Sequence, residues 1–450
     1  MKSIFLLSIV IVFLMITCNN TENANRDITT PRDKSIPFFS IQSDKKIIND
    51  PKVDATLKIE RNDSVLLQTP IGIELRGAIS LSEDKKSYGF EIREKNDSLS
   101  NKSLLNLPKN DDWILHGTAM DKSFIRNVLT YHLSNQMGRY ASRTQFVELN
   151  INDNYKGLYI LMEKIKQGKE RVAIKKLSQK DSSGEEITGG YILKIDKTAG
   201  KNTDFSDYNE QNSFDSRYNA KGKLTDNTNI HYLYDYPKAK NITPAQKTYI
   251  SNYINDFEQV MASNQWNNPT QGYAKYIDVD SFVDYFILTE FCQNHDGYRI
   301  STFLQKDRNK KLAMGPIWDY DLAYGPEFAF CSDLAKDAWV FRYNQYCGSD
   351  GWLVPFWWEK LLKDSAFKNK VSQRWKSLRN DVLSDKKVEQ TIDSLTQYLH
   401  QHNLVDRNYE RWSEKKKGQT YKERHLKHIE HIKSWTKQHS AWIDREIDKL

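Results

Sequence analysis

Apolar and polar residues alternate along much of the chain from about residue 36 to residue 165. The stretches 56–60 and 72–76 place apolar side chains at every second position, which is the period of a strand with one buried face. Two more strands are predicted over 145–151 and 157–163, with a short polar turn between them. This part of the chain is therefore predicted to be rich in strands.

One helix interrupts these strands. Asp121 is its predicted N-cap, and Gly138 is predicted to end it. Its predicted inner face consists of Ile125, Val128, Leu129, His132 and Leu133. We therefore predict a small sheet with a single helix packed against it.

The rest of the chain is predicted to be mostly helical. Residues 168–241 are rich in Ser, Asn, Asp, Gly and Lys, which predicts loops and short strands. Residues 244–263 predict an amphipathic helix, and the apolar stretch 279–292 predicts a central core helix. The last hundred residues also predict helices, whose many tryptophans are interpreted as core packing.

These patterns predict an α+β protein with two lobes. The strand-rich N-terminal lobe spans about residues 36–165, and the larger, mostly helical C-terminal lobe spans about residues 166–450. A cleft between two lobes is the natural place for a binding site.

The N-terminus has the pattern of a secretory signal over residues 1–17. Lys2 precedes an apolar run over 4–16, which is shorter than the ~20 residues that cross a bilayer. Cys18 stands where a lipoprotein signal places the cysteine that is lipidated after cleavage. We predict a lipid-anchored, extracytoplasmic protein of the cell envelope, with plain secretion as the alternative. The polar residues 18–35 predict a flexible tether.

Charge and cysteine content narrow the possible partners. The net charge is +7, but Lys and Arg alternate with Asp and Glu, whereas nucleic-acid binding needs clustered cations; no nucleic-acid partner is expected. An oxidising compartment permits a disulfide between Cys331 and Cys347. Cys292 lies in the predicted core helix and is interpreted as a buried free thiol.

The strongest concentration of reactive groups lies between residues 294 and 321. Asp296 and Ser301 follow the predicted core helix, and Asp319 and Asp321 follow two short strands further along. If those strands pair as a hairpin, its open end brings these side chains together. Each Asp alone is typical of a turn or a helix cap. Together, three carboxylates need raised pKa values or a cation, and Mg²⁺ or Mn²⁺ suits such oxygen ligands.

The same arrangement follows the logic of phosphoryl transfer. A kinase uses one Asp to orient or deprotonate the acceptor hydroxyl, a side chain five residues later to help hold metal, and a second Asp to hold the metal on the nucleotide. Asp296 is the candidate for the first position and Ser301 for the second. Asp319 or Asp321 is the candidate metal carboxylate.

An ordered series of short motifs spans about residues 71 to 325. It consists of Leu75-Arg-Gly, Lys85-Lys-Ser-Tyr, Trp113-Ile-Leu-His, Asp121-Lys-Ser-Phe-Ile-Arg-Asn, Gly157-Leu-Tyr-Ile-Leu-Met-Glu, Gly189-Gly-Tyr-Ile-Leu, Asn294-His-Asp-Gly-Tyr-Arg and Gly315-Pro-Ile-Trp-Asp-Tyr-Asp. The series resembles the CotH family, the atypical protein kinases named for a spore coat protein.

The resemblance implies a protein-kinase-like fold and transfer of phosphate from ATP to Ser or Thr residues of a protein substrate. By position it makes Lys86, or its neighbour Lys85, the candidate to grip the nucleotide phosphates, with Arg76 assisting on the same sheet. Glu163 ends a strand where a kinase hinge would meet adenine. The alternative is a non-catalytic surface protein on the same scaffold, whose acidic cluster holds a structural cation such as Ca²⁺.

Overall fold

The structure is a computed structural model that describes residues 28–77, 81–198, 207–325, 331, 335–413 and 418–450. Its N-terminal strands are β1 (Phe38–Gln42), β2 (Val53–Arg61), β3 (Ser64–Arg76), β4 (Ser87–Ile92), β5 (Asp112–His116), β6 (Thr144–Ile151) and β7 (Asn154–Glu163). Within the described residues these seven strands form a closed barrel in the order β1-β2-β3-β4-β5-β7-β6.

Alternating side chains build the barrel. In β5, Trp113 and Leu115 belong to the barrel core, whereas Ile114 packs in the larger core outside it. The barrel closes where β1 pairs with β6 in parallel, with Phe39 opposite Leu149. The predicted small sheet is therefore a closed barrel. Its closure could not be predicted because pairing between strands far apart in sequence leaves no local pattern.

A second sheet lies in the C-terminal part of the chain. Its strands are β8 (Tyr191–Ile195), β9 (Ser213–Asp215), β10 (His231–Tyr236), β11 (Thr302–Lys306) and β12 (Leu312–Met314), in the order β12-β11-β8-β10-β9. The predicted hairpin is confirmed, since β11 pairs antiparallel with β12. The polar stretch 168–241 supplies three of the five strands.

The helices are α1 (Arg126–Gln136), α2 (Pro244–Ala262), α3 (Val279–Cys292), α4 (Tyr343–Tyr346), α5 (Trp357–Leu361), α6 (Ser365–Arg379), α7 (Asp385–Gln401), α8 (Leu404–Trp412) and α9 (Tyr421–Glu446). Helix α3 matches the predicted core helix, and every residue from 281 to 292 is buried. Asp278 caps its N-terminus by accepting a hydrogen bond from the backbone N–H of Ser281. The helices pack around this apolar centre.

One large core joins the two halves of the chain. It contains the outward side chains of β5 and β7, helix α1, and the fully buried Trp357, Trp358 and Trp375 of the helical part. The α+β prediction, with strands first and helices later, is confirmed, as is the packing role of these three tryptophans.

Helix α1 differs from its prediction at its start. It begins at Arg126, and Asp121 lies before it, accepting a hydrogen bond from the backbone N–H of Arg126 at 2.9 Å and pairing with its guanidinium at 2.6 Å. His132 was predicted on the inner face, but it is exposed. Asn127 and Tyr131 are buried instead, because this face of the helix makes polar contacts with a loop.

The described end of the predicted tether lies against helix α8. The backbone N–H groups of Thr29 and Thr30 donate to the Glu410 carboxylate, and Asp33 lies 2.7 Å from His402. The predicted signal over 1–17 and the predicted lipidation site at Cys18 lie outside the described residues. Within the described ranges, no helix combines the length and hydropathy that a membrane span requires.

The disulfide that the sequence permits is present, and the prediction for Cys292 is confirmed. Cys331 and Cys347 form a disulfide with their Cα atoms 6.0 Å apart, and Cys292 is buried and free. The disulfide closes a loop immediately before residues that contact the candidate site.

The barrel core gives a stability prediction. We expect Ile73→Ala to lower the free energy of unfolding by about 2–5 kcal/mol, because this fully buried β3 side chain would leave a cavity. Urea denaturation followed by circular dichroism measures the change. Leu66→Ala in the same strand is the matched control: its side chain is 53% exposed, so the change should stay below about 0.5 kcal/mol. Equal losses for the two variants would contradict the barrel core.

Candidate functional site

Two loops bring the predicted acidic residues together. Asp296 lies in the loop between α3 and β11, and Asp319 and Asp321 lie in the loop after β12. Because β11 and β12 form a hairpin, both loops leave the same end of it. The side-chain amide of Asn294 donates to the Asp319 carbonyl oxygen at 3.3 Å and joins the two loops directly.

Helix α1 fixes the second loop through its polar face. The backbone N–H of Asp319 donates to the Tyr131 hydroxyl at 3.1 Å, and that of Tyr320 donates to the Asn127 side chain at 2.7 Å. These bonds come from a helix nearly two hundred residues earlier in the chain. They satisfy backbone donors that buried loops otherwise leave unpaired.

Both loops contain residues with left-handed backbone. The φ angles of Gln293, Ser301, Asp319 and Tyr324 are 46°, 52°, 64° and 59°. Residues other than glycine adopt this region at an energetic cost, and they do so mainly where surrounding contacts hold them. The two loops are therefore held in specific conformations by their neighbours.

Two of these carboxylates have raised pKa values. Desolvation by the surrounding protein, with repulsion from Asp296 and Asp196, raises the pKa of Asp319 to about 6, although its side chain is exposed. Burial, with repulsion from Asp319 and Asp121, raises the pKa of Asp321 well above its ordinary value. Negative charge is thus concentrated at this point, and a cation would stabilise it.

Asp196 is a member of the cluster that the sequence analysis did not identify. It directly follows β8, and its carboxylate accepts the backbone N–H of Ser301 at 3.3 Å while pairing with Lys194 at 3.0 Å. The available signal was its place at the end of a buried strand. Ser301 itself is buried beside this carboxylate.

Asp296 and Arg76 lie at this site with defined partners. Asp296 pairs with the Arg299 guanidinium at 2.7 Å. Arg76, at the end of β3, stacks over the Trp318 ring at 5.5 Å and is attracted electrostatically to Asp319. The barrel thereby supplies a cation opposite the carboxylates.

The two lysine candidates have different surroundings. The Lys85 ammonium is buried, where it donates to the Leu158 carbonyl at 2.6 Å and to Asn408 of α8 at 2.7 Å. Burial holds its pKa well below the ordinary value. Lys86 is half-buried and donates to the Leu81 carbonyl in the connection between β3 and β4. Lys85 thus joins the barrel to the helical part.

Glu163 also has a defined set of partners. Both of its carboxylate oxygens accept hydrogen bonds from the Arg143 guanidinium at 2.9 Å, and the Tyr140 hydroxyl donates to it at 3.2 Å. The side chain holds the end of β7 to the segment before β6. Its predicted position near adenine stays a prediction.

The donor set can be compared with the needs of a divalent ion. In the described part of the chain, no three His, Cys, Asp or Glu side chains form a group that could hold a metal ion. Mg²⁺ usually takes only one or two protein carboxylates and completes its octahedron with water and substrate phosphates. Asp319 and Asp321 provide two such carboxylates, and their raised pKa values show that their negative charge is poorly compensated without a cation.

The fold and the site together define a class of protein. An acidic site lies where a strand-rich part meets a helical part, and one arginine of the barrel lies opposite it. A family model described as CotH kinase protein matches residues 73–443, which is most of the chain and includes every residue of this site. The chain therefore belongs to the CotH kinase family. No curated protein matches it.

The raised pKa of Asp319 gives a prediction about stability and pH. At pH 7.5 the folded state holds this carboxylate ionised against its neighbours, whereas the unfolded chain ionises it freely near pH 4. Without metal, we expect Asp319→Asn to melt at a higher temperature than the wild type at pH 7.5. The difference should shrink as the pH falls through 6 toward 4, where the wild-type carboxyl is protonated.

Thermal melts in EDTA across this pH range measure the effect. The control is Asp280→Asn, which removes an exposed carboxylate that pairs with Lys370. The Asp280 pKa is lowered by its hydrogen bond to that lysine, so its loss should give no stabilisation. An Asp319→Asn variant that is less stable than the wild type at pH 7.5 would show that desolvation and repulsion do not destabilise the ionised carboxylate at this position.

Proposed function

We propose that this protein is an extracytoplasmic kinase that transfers phosphate from ATP to Ser or Thr residues of a protein substrate. In this proposal the strand-rich part and the helical part act as the two lobes of a protein-kinase-like fold. The observation that carries the proposal is the convergence of Asp296, Asp319 and Asp321 in a member of the CotH kinase family.

Asp296 is proposed to orient the acceptor hydroxyl and take its proton. The hydroxyl oxygen attacks the γ-phosphorus of ATP, a new P–O bond forms, and the bond between that phosphorus and the bridging oxygen of ADP breaks. The electron pair of the broken bond leaves on ADP, and the hydroxyl proton passes to the Asp296 carboxylate and then to solvent. Its position in a buried, hydrogen-bonded loop keeps this side chain directed.

Charge complementarity assigns the remaining roles. Asp319 and Asp321 would hold Mg²⁺ or Mn²⁺, and Ser301 is the further candidate ligand; the ion would neutralise charge on the transferring phosphate. Arg76 and Lys86 are the proposed contacts for the nucleotide phosphates. Arg76 has the stronger support because it already lies opposite the carboxylates.

The proposed location rests on the N-terminal sequence and on one covalent bond. Residues 1–17 have the pattern of a secretory signal, and Cys18 would carry the lipid that anchors the protein to a membrane of the cell envelope. The Cys331–Cys347 disulfide supports an oxidising compartment, where such bonds persist.

Loss of the central carboxylates tests the kinase directly. With labelled ATP and Mn²⁺ or Mg²⁺, the wild-type chain should transfer label to itself or to a generic acceptor protein. We expect Asp296→Asn and Asp319→Asn to reduce that transfer by about 100-fold or more, because one removes the base and the other a metal carboxylate. Asp280→Asn, an exposed carboxylate on α3, is the control and should retain wild-type transfer.

The alternative function, a non-catalytic surface protein with a structural cation, is separated by ligand-induced stabilisation. If the protein is a kinase, ATP should raise its melting temperature only when Mg²⁺ or Mn²⁺ is present, and the Asp319→Asn variant should not show this rise. A structural-cation protein should gain it from Ca²⁺ alone, with no response to ATP. The second pattern, together with no label transfer, would replace the kinase proposal.

A further inference from the structure

Arg299 is buried next to the proposed base and makes an unusually complete set of contacts. Only 2% of its side chain is exposed. Its guanidinium pairs with Asp296 at 2.7 Å, donates to the carbonyl oxygens of His295 at 3.0 Å and Trp352 at 3.1 Å, and lies 4.1 Å from the centre of the Tyr343 ring. A guanidinium group held by this many partners has almost no rotational freedom left.

The two oxygens of the Asp296 carboxylate have different surroundings. Oδ1 accepts the hydrogen bond from Arg299. Among the described residues, no hydrogen bond reaches Oδ2. About a quarter of the side chain remains open to solvent, at 23% exposure. One oxygen is therefore anchored, and the other is left for the hydroxyl group of an acceptor.

Arg299 is itself held by a second carboxylate. Asp350 lies 3.1 Å from the guanidinium, and its own carboxylate accepts hydrogen bonds from the Tyr343 hydroxyl at 2.7 Å and the backbone N–H of Trp352 at 2.9 Å. The backbone N–H of Asp350 donates to the carbonyl of Cys347, half of the disulfide. A cross-linked segment of the helical part thus reaches the loop that carries the proposed base.

We propose that Arg299 is a positioning residue that aims the Asp296 carboxylate at the acceptor hydroxyl, and that Asp350 keeps Arg299 in place for this task. This inference rests on the proposed kinase function. An ion pair needed only for folding would require neither the free second oxygen nor the second carboxylate behind the arginine. Misplacing a catalytic group by about 1 Å can reduce a rate by about 100-fold while leaving substrate binding unchanged.

The test separates turnover from nucleotide binding. In the full chain with Mn²⁺, we expect Arg299→Gln to lower kcat for phosphate transfer by about 10- to 100-fold. The dissociation constant for ATP, measured by thermal shift, should stay within about twofold of the wild-type value. The reason is that Arg299 does not contact Arg76 or Lys86, the residues proposed to bind the nucleotide phosphates. Arg299→Lys keeps the charge without the fork, so it should restore part of the lost kcat.

Arg407→Gln is the matched control. Arg407 is also buried, pairs with Glu148 at 2.7 Å and lies 4.8 Å from the Tyr155 ring, but it joins α8 to the barrel. The Arg407→Gln variant should lower the melting temperature about as much as Arg299→Gln does, and it should leave kcat unchanged. If Arg299→Gln keeps wild-type kcat, or loses no more of it than Arg407→Gln does, the positioning role is refuted.

Asp350→Asn covers the case in which Arg299→Gln does not fold. This variant retains both the Arg299 and the Asp296 side chains but removes the charge that holds the Arg299 guanidinium. The guanidinium should therefore be positioned less firmly, and kcat should fall several-fold with ATP binding unchanged. Unchanged kcat in this variant would refute the role of Asp350. A wild-type chain that binds ATP and Mn²⁺ but transfers no phosphate would instead overturn the proposed function, an outcome that none of the variants can imitate.

Discussion

Repulsion between carboxylates is the constraint on which this structure depends. Asp196, Asp296, Asp319 and Asp321 come from three separate segments. Desolvation together with repulsion from Asp296 and Asp196 raises the pKa of Asp319, and desolvation together with repulsion from Asp319 and Asp296 raises the pKa of Asp321. Nothing local in the chain would keep them together, since isolated loops carrying like charges separate. They remain close because rigid elements deliver them: the β11–β12 hairpin sets two loops side by side, and the polar face of α1 fixes one of them. Arg76 supplies compensating charge to Asp319, and Arg299 supplies it to Asp296.

This arrangement explains why the two halves of the chain share one core. The side chains of this site come from both the barrel and the helical part, so their relative positions depend on how tightly these two parts pack together. Here α1 belongs to the first half in sequence but packs with the helices of the second half, and the outer faces of β5 and β7 do the same. The buried Lys85, which bridges a β7 carbonyl and Asn408 of α8, adds a polar link to that packing. The barrel therefore carries Arg76 to the acidic site on a rigid support.

Local patterns in the sequence predicted what depends on neighbours along the chain. Strands β2, β3, β6 and β7 and helix α3 follow from periodicity, and the grouping of Asp296, Asp319 and Asp321 follows from the pairing of β11 with β12. Long-range contacts were beyond such reasoning. Closure of the barrel needs β1 to meet β6, and Asp196 joins the cluster only because β8 pairs with β11. The polar face of α1 was misjudged for the same reason, because Asn127 and Tyr131 are buried by a loop that lies far away in sequence.

The closed barrel also limits how other proteins can attach to this one. A sheet with a free edge can be extended by a strand from a partner, a route that serves peptide recognition and also unwanted aggregation. Seven strands of the barrel have no such edge. In the described part of the chain, the outer strands of the second sheet are β9 and β12, each of three residues, and β12 is partly covered by a bridge from Ile277. Partners must therefore be recognised mainly through side chains and surface shape, and the same lack of long free edges protects the fold from strand exchange.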